Sequence, residues 1–421
     1  MSPSGARSGS AFLPILLVIS LFFLWGMANN LNDVLIAQFR KAFSLGDLQS
    51  GLVQSAFYLG YFCLSIPAAL FMKRFGYKGA VVFGLVLFGL GALLFYPAAE
   101  VRRYEMFLLA LFVIAGGLAF LETSANPLVT VLGDPATAER RLNLAQAFNP
   151  LGSIAGLLIG SHFILSGVEH SQEALAAMTP EAAAAFYARE ATAVQTPYLV
   201  IGLFVLAWAV LFLLVRFPRV AGAEAAREEG PGSAGDFLAL LRDARFRFGV
   251  IAQFFYVGAQ VGVWSFMIRY AQEVMAVGER TAAGWLTWSI VGFMAGRFVG
   301  AALMSRVKPA LLLTIFGVIN IALCLVAVAL PGPVGMIALA STSFFMSIMF
   351  PTIFASSLKG LGVRTKAGSS LLVMAIIGGA VLTAAMGHVS DISSIHMAML
   401  VPAVCFAVVA LFGRRAGRVE A

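Results

Sequence analysis

Residues 12–39 read FLPILLVISLFFLWGMANNLNDVLIAQF, and this stretch sets the kind of fold the chain can adopt. A helix crosses the hydrocarbon core of a bilayer with about 20 mostly apolar residues, and this run exceeds that. It is too long for the apolar region of a signal peptide, and its amides fall where such a region is uniform. Eleven further runs follow, near 48–72, 79–99, 106–131, 142–166, 195–215, 248–272, 282–304, 310–330, 334–358, 367–388 and 395–412. A barrel strand needs only about 9–11 residues and alternates with period two. These runs are longer and do not alternate, so the expected fold is an all-α integral membrane protein. It has twelve transmembrane helices in two six-helix halves.

Composition agrees. The chain has 421 residues, of which 60% are hydrophobic and 11% charged, and its mean hydropathy is +0.92. A soluble chain carries roughly 25% charged residues to cover its surface; this one has lipid for a solvent. The net charge of +8 does not point to nucleic acid, because the basic residues are too few and too scattered to follow a phosphate backbone. Cys63, Cys324 and Cys405 each sit alone in an apolar run, which excludes a disulfide scaffold. His162, His170, His388 and His396 have no metal-ligand spacing, so no metal is expected. No cofactor loop, nucleophile motif or His/Cys/Asp cluster is present, and the chain is not read as an enzyme.

The loops orient the spans. With the N-terminus in the cytoplasm, the inside segments hold 20 of the 28 basic residues, among them Lys73, Arg74, Lys78, Arg140, Arg141, Lys359, Arg364 and Lys366. The outside loops hold six: Arg40, Lys41, Arg102, Arg103, Arg189 and Arg280. That asymmetry places both termini inside. The charged, Gly/Ala-rich stretch AGAEAAREEGPGSAGD divides the chain into a half over 1–216, a cytoplasmic linker over 217–247 and a half over 248–421. A second long loop, 167–194, lies outside and is Ala/Glu-rich, with room for a short surface helix. AALFMKRF closes the second span and AALMSRV the eighth, while Pro127 and Pro351 hold comparable places in the fourth and tenth. Such matches fit parallel repeats about an axis along the membrane normal.

Of 20 acidic residues, only Asp33 and Glu122 fall well inside spans. A charge at mid-membrane costs about 2.5–3.5 kcal/mol on insertion scales and marks a substrate or proton path. The plainer alternative is a satisfied structural carboxyl in the bundle interior. A carboxyl taken out of water can bind and release a proton near neutral pH, as proton coupling requires. Amides surround both acids. Asn29 and Asp33 are four apart and share a helix face, as do Glu122 and Asn126; Gln146 and Asn149 are three apart. Amides offer donors and acceptors at one head group, which suits an uncharged, polyhydroxylated ligand. They also join helices, at about 0.6–2 kcal/mol each. The second half offers Gln260 and Trp264 but no matching acid. Arg269 is expected to snorkel at the outer end of span seven, and Arg297 to cap or pair near the cytoplasmic side. Without an interior cation, an anionic substrate is disfavoured.

The segments LFFLWGMANNLNDVLIAQF, GLVQSAFYLGYF, LETSANPLVTVLG, RLNLAQAFNPLGSIAG, AQFFYVGAQVGVWSFMIRYA and FPTIF resemble the fucose–galactose–glucose permease group of the major facilitator superfamily, most of all its L-fucose–proton symporter branch. The resemblance runs from the first span to the twelfth. It implies a multi-pass monomer of the bacterial inner membrane that imports L-fucose or a related neutral hexose with a proton, by alternating access. It implies that Asp33 and Glu122 carry proton coupling and sugar binding, with Asn30, Gln146 and Asn149 lining the sugar site. Where the fucose branch has Gln-Tyr before the proline of span ten, this chain has Met349 and Phe350, as the glucose/galactose branch does. Gln260 and Trp264 look like the fucose branch. Asn29, Asn126 and Phe350 complete the set of candidate sugar ligands. A glucose/galactose transporter, or an uncoupled facilitator of the same fold, is the alternative.

Overall fold

The computed structural model describes residues 12–43, 47–131, 134–164, 178–215 and 234–419, and all of its regular structure is helical. The first half contains α1 (Phe12–Ala42), α2 (Asp47–Leu93), α3 (Phe95–Val101), α4 (Tyr104–Val131), α5 (Ala138–Gln146), α6 (Asn149–Ile159), α7 (Pro180–Thr192) and α8 (Gln195–Leu214). After the short α9 (Ala234–Arg242) come α10 (Ala244–Met275), α11 (Glu279–Leu303), α12 (Pro309–Ala329), α13 (Pro333–Met346), α14 (Met349–Leu358), α15 (Thr365–Met374), α16 (Gly378–Ile392) and α17 (Leu400–Val419). Each of the twelve expected spans has its helix or pair of half-helices.

Among the described residues, nine helical stretches are long and apolar enough to cross a membrane. One of them, Ser55–Val101, crosses twice. Gly76 sits within α2 at φ 75°, ψ 176°, outside helical geometry, a backbone state glycine adopts without steric cost. The rings of Phe71 and Phe83 then stack with centroids 4.6 Å apart; twelve residues of straight helix would separate them by about 18 Å. Two further crossings complete the set. The first span is carried by α1, whose stretch Leu16–Leu31 is apolar, and the fifth span is broken into α5 and α6. Ten crossings and these two make twelve.

Spans ten and eleven are broken as well, at Ser347–Ile348 and at Ala375–Ile377. The 167–194 loop carries the expected helix, α7, capped by Thr179 with Pro180 at its first turn. Within the linker, residues 217–233 lie outside the described residues. Its remainder forms α9 and the first turn of α10, and Asp236 of α9 meets Lys73 of α2 at 2.6 Å. Arg269 is half exposed and lies 3.8 Å from Glu273, consistent with a snorkelling side chain.

Helices in lipid associate through close packing of small residues, and both halves do so at corresponding places. A Cβ on Gly152 of α6 would collide with the carbonyl oxygen of Phe23 on α1, and one on Gly378 of α16 with the carbonyl oxygen of Phe254 on α10. Gly152→Ala is therefore expected to destabilise the protein by roughly 1–3 kcal/mol through overpacking. Gly284→Ala, where nothing lies within 4 Å of the added carbon, should be neutral or stabilising. Thermal unfolding of the two variants in detergent micelles checks this: equal midpoints would mean that α1 and α6 have room to part.

Candidate functional site

A cavity of about 180 Å³ lies between the two halves, and its wall is assembled from α1, α2, α5, α6, α10, α11, α14 and the turn before α16. Asn29 and Asn30 reach it from α1, Gln146 from the last turn of α5, and Asn149 and Ser153 from α6. The break between α5 and α6 is what turns Gln146 and Asn149 to the same space. Pro150 has no N–H to continue the helix and forces the chain to restart.

The opposite wall comes from the second half. Gln260 and Trp264 face the cavity from α10, and Phe350 from α14. The Trp264 indole is fixed in place: its Nε1 donates to Ser343 Oγ at 3.0 Å, Ser343 pairs with Ser289, and Phe293 packs edge-on at 5.1 Å. Phe350 is flanked by Trp25 at 6.1 Å and Tyr256 at 6.3 Å between ring centroids. The cavity thus has an amide-rich wall on one side and fixed aromatic faces on the other.

Glu122 and Asn126 are buried and stand one layer behind this lining. Gln146 joins the layers, since its Nε2 donates to Asn126 Oδ1 at 2.9 Å. Neither carboxylate oxygen of Glu122 has a hydrogen-bond partner among the described residues. Asn126 and Tyr61 lie close enough to interact with it, and Tyr61 reaches the cavity. The backbone of Asp33 belongs to α1, but its side chain lies outside the described residues. Of the ten candidate residues, seven line one cavity, Glu122 and Asn126 back it, and Asp33 is not described.

Several lining residues were not singled out from sequence, notably Trp25, Tyr58, Tyr61 and Arg297. Arg297 departs most from expectation. It is 3% exposed on α11 and not at the rim, lies over the Phe293 ring, and has no acidic partner among the described residues. Its Nε donates to Ser347 O at 2.9 Å and its Nη1 to Gln146 O at 2.6 Å. The interior does hold a cation. Two turns of spacing from any basic run concealed it in the sequence.

Beyond Arg297, toward the end of the bundle that carries Gly76, the halves close on each other. Asn143 Nδ2 donates to Thr352 Oγ1 at 3.2 Å, and Ser369 Oγ to Thr123 O at 2.7 Å. Glu139 lies 3.4 Å from Ser356 and 4.0 Å from Lys359, and Lys366 sits over the Tyr77 ring. The arrangement is a central cavity between paired bundles, sealed below by contacts from both.

A family model described as Major Facilitator Superfamily matches residues 17–367. The chain belongs to the major facilitator superfamily. It is 47% identical over 411 residues to the L-fucose-proton symporter of Escherichia coli (strain K12), across 97% of this chain and 94% of the relative. It is 38% identical over 396 residues to the glucose/galactose transporter of Brucella abortus biovar 1 (strain 9-941), across 93% and 91%. The fold superposes on the crystal structure of the major facilitator superfamily transporter FucP in the outward conformation. The TM-score is 0.87 and the identity 46%, with 97% of this chain and 99% of that one covered. The proton:xylose symporter XylE, bound to 6-bromo-6-deoxy-D-glucose, is 13% identical with a TM-score of 0.72 and shares the fold alone.

Because the Glu122 carboxylate has no ion pair or hydrogen bond among the described residues, Glu122→Gln should fold as stably as the parent, keeping shape while removing the ionisable group. Unfolding midpoints in detergent test this. A fall of more than a few degrees would reveal a structural partner for the carboxylate.

Proposed function

We propose that this protein is a proton-coupled symporter that imports L-fucose or a related neutral hexose across the bacterial inner membrane by alternating access. One observation carries the reading: an amide wall and an aromatic wall share a cavity whose amide Gln146 is bonded to Asn126, one helical turn from the buried Glu122, whose carboxylate has no hydrogen-bond partner among the described residues. Amides bond hydroxyls of either polarity, and fixed indole and phenyl faces pack on the apolar side of a pyranose. The names of the relatives support the same substrate and ion.

In this reading Asn29, Asn30, Gln146, Asn149, Gln260, Trp264 and Phe350 contact sugar, and Asn126 positions Gln146. Asp33 and Glu122 exchange the proton. Residues 1–216 and 248–421 rock as bodies about the site, joined by the 217–247 linker, and both termini face the cytoplasm. The basic end around Lys73, Lys78 and Lys366 is then cytoplasmic, which makes the sealed state outward-facing. The driving force is sufficient. A charge moving down 100 mV yields about 2.3 kcal/mol, or roughly fiftyfold accumulation. Phe350 on the wall, without a hydroxyl, favours a second reading as a glucose or galactose transporter.

External pH in a weakly buffered, de-energised suspension of expressing cells separates these readings. Alkalinisation on adding L-fucose, absent in control cells, is the expected outcome; a response to D-galactose or D-glucose instead would select the second reading. Labelled-sugar exchange without any pH change would mean a facilitator. Asp33→Asn should abolish accumulation at least tenfold while leaving exchange measurable in counterflow; loss of both in a folded variant would make Asp33 a sugar ligand alone.

A further inference from the structure

Besides Pro67 in α2, three prolines fall within spans near the cavity. A proline lacks an N–H, so the carbonyl four residues earlier loses its helical partner. Pro127 frees the carbonyl of Thr123, Pro150 that of Gln146, and Pro351 that of Ser347. In a membrane interior each freed carbonyl needs another donor, and each has one. Ser369 Oγ of α15 donates to Thr123 O at 2.7 Å. Arg297 supplies the other two, through Nη1 to Gln146 O and Nε to Ser347 O. The first two of these bonds cross between halves. The third holds the same guanidinium to the break between α13 and α14.

We infer that Arg297 is the positioning residue that pins the two halves together beneath the cavity, docked on proline-freed carbonyls, and that a ligand in the cavity acts on the gate through it. The second clause rests on the transport reading above. Gln146 ends α5 and Ser347 follows α13, so both carbonyls belong to helix C-termini, where a cation is favoured. No carboxylate among the described residues lies within ion-pair distance of the guanidinium, so these dipoles are its counter-charge. The side chain also lines the cavity, and its Nη2 has no hydrogen-bond partner among the described residues. A sugar hydroxyl bonded there draws on the group that closes the gate, and Gln146 offers its amide to the cavity while its carbonyl holds the pin.

The test uses the full-length chain in detergent micelles, carrying Cys63→Ser and the reporter Ser356→Cys. Ser356 is 5% exposed and its hydroxyl lies against Glu139 of α5, within the closed contact. Maleimide labelling at position 356 is followed by peptide mass spectrometry, with and without saturating L-fucose. Buried Cys324 serves as the internal control. Without sugar, Arg297→Gln should label about tenfold faster or more, since hydrogen bonds from a charged donor are worth at least that factor. Arg297→Lys, which reaches one carbonyl at a time, should fall between. Pro150→Ala keeps the guanidinium but returns an N–H to the Gln146 carbonyl, and should also accelerate labelling. L-fucose should accelerate labelling severalfold in the parent and leave Arg297→Gln unchanged.

Parental labelling rates in Arg297→Gln and Pro150→Ala would overturn the pin, and so would Cys324 labelling that rises in step with position 356. Should Arg297→Gln not yield folded protein, Arg297→Lys and Pro150→Ala decide in the same way. L-fucose binding by the parent is measured separately through tryptophan fluorescence. Binding without any change in labelling would overturn the coupling to the gate. Absence of binding of L-fucose, D-galactose and D-glucose alike would defeat the transport reading, while the sugar-free comparison still decides the pin.

Discussion

A backbone carbonyl inside a membrane has no water to turn to, and most of this structure follows from how that constraint is met. Uninterrupted helices meet it internally, which is why all described regular structure is helical. Where prolines break the ladder, the freed carbonyls must be satisfied by side chains from elsewhere. Here the donors are Ser369 and Arg297, and they come from helices that the chain places far away in sequence. The same breaks turn Gln146 and Asn149 toward the centre. A local backbone defect therefore creates both the polar wall of the cavity and the contact beneath it.

Layering of the polar groups has a chemical consequence. The amides that face the cavity are neutral at any physiological pH, while the carboxyl of Glu122 stands behind them, one helical turn from Asn126, which accepts from Gln146. In the proposed transport reading, ligand and proton occupy adjoining compartments with a shared amide between them. A carboxylate only accepts hydrogen bonds and a carboxylic acid also donates, so the carboxyl behind these amides can offer them either pattern. Gln146 stands at that boundary, with its carbonyl oxygen already committed to Arg297.

Span number, the two halves and the interior acid Glu122 are legible in sequence because each rests on a local signal: run length, charge between runs, and one carboxylate amid apolar residues. Asn29, Asn30, Gln146 and Asn149 are legible for the same reason, being amides where lipid-facing residues should be. The rest depends on tertiary placement. Trp25, Tyr58 and Tyr61 read as ordinary aromatic packing until helices from both halves bring them to one cavity. Arg297 reads as a boundary charge because its partners are backbone carbonyls, which carry no sequence signature. The two arms of α2 are legible as well, because Lys73, Arg74 and Lys78 part their apolar runs; the point of reversal at Gly76 is set by its backbone angle.

The closed contact is built from weak parts, and alternation requires that. Buried salt bridges cost about 3–5 kcal/mol when one partner is removed, which would lock two halves together. Between these halves the interior bonds are instead neutral or charge-to-dipole, such as Asn143 to Thr352 and Ser369 to Thr123. Each contributes about 0.5–1.5 kcal/mol net. The ion pairs, Lys73 with Asp236 and Lys359 with Glu139, include partly exposed partners, where such pairs are worth about 0–1 kcal/mol. A few such terms sum to an amount comparable with the ~2.3 kcal/mol that one charge gains from 100 mV. Arg297 is the exception in kind, a full charge held by two dipoles, and together with Gln146, whose carbonyl it grips, it touches the cavity. The strongest single element of the closed state is thus one that a bound ligand can reach.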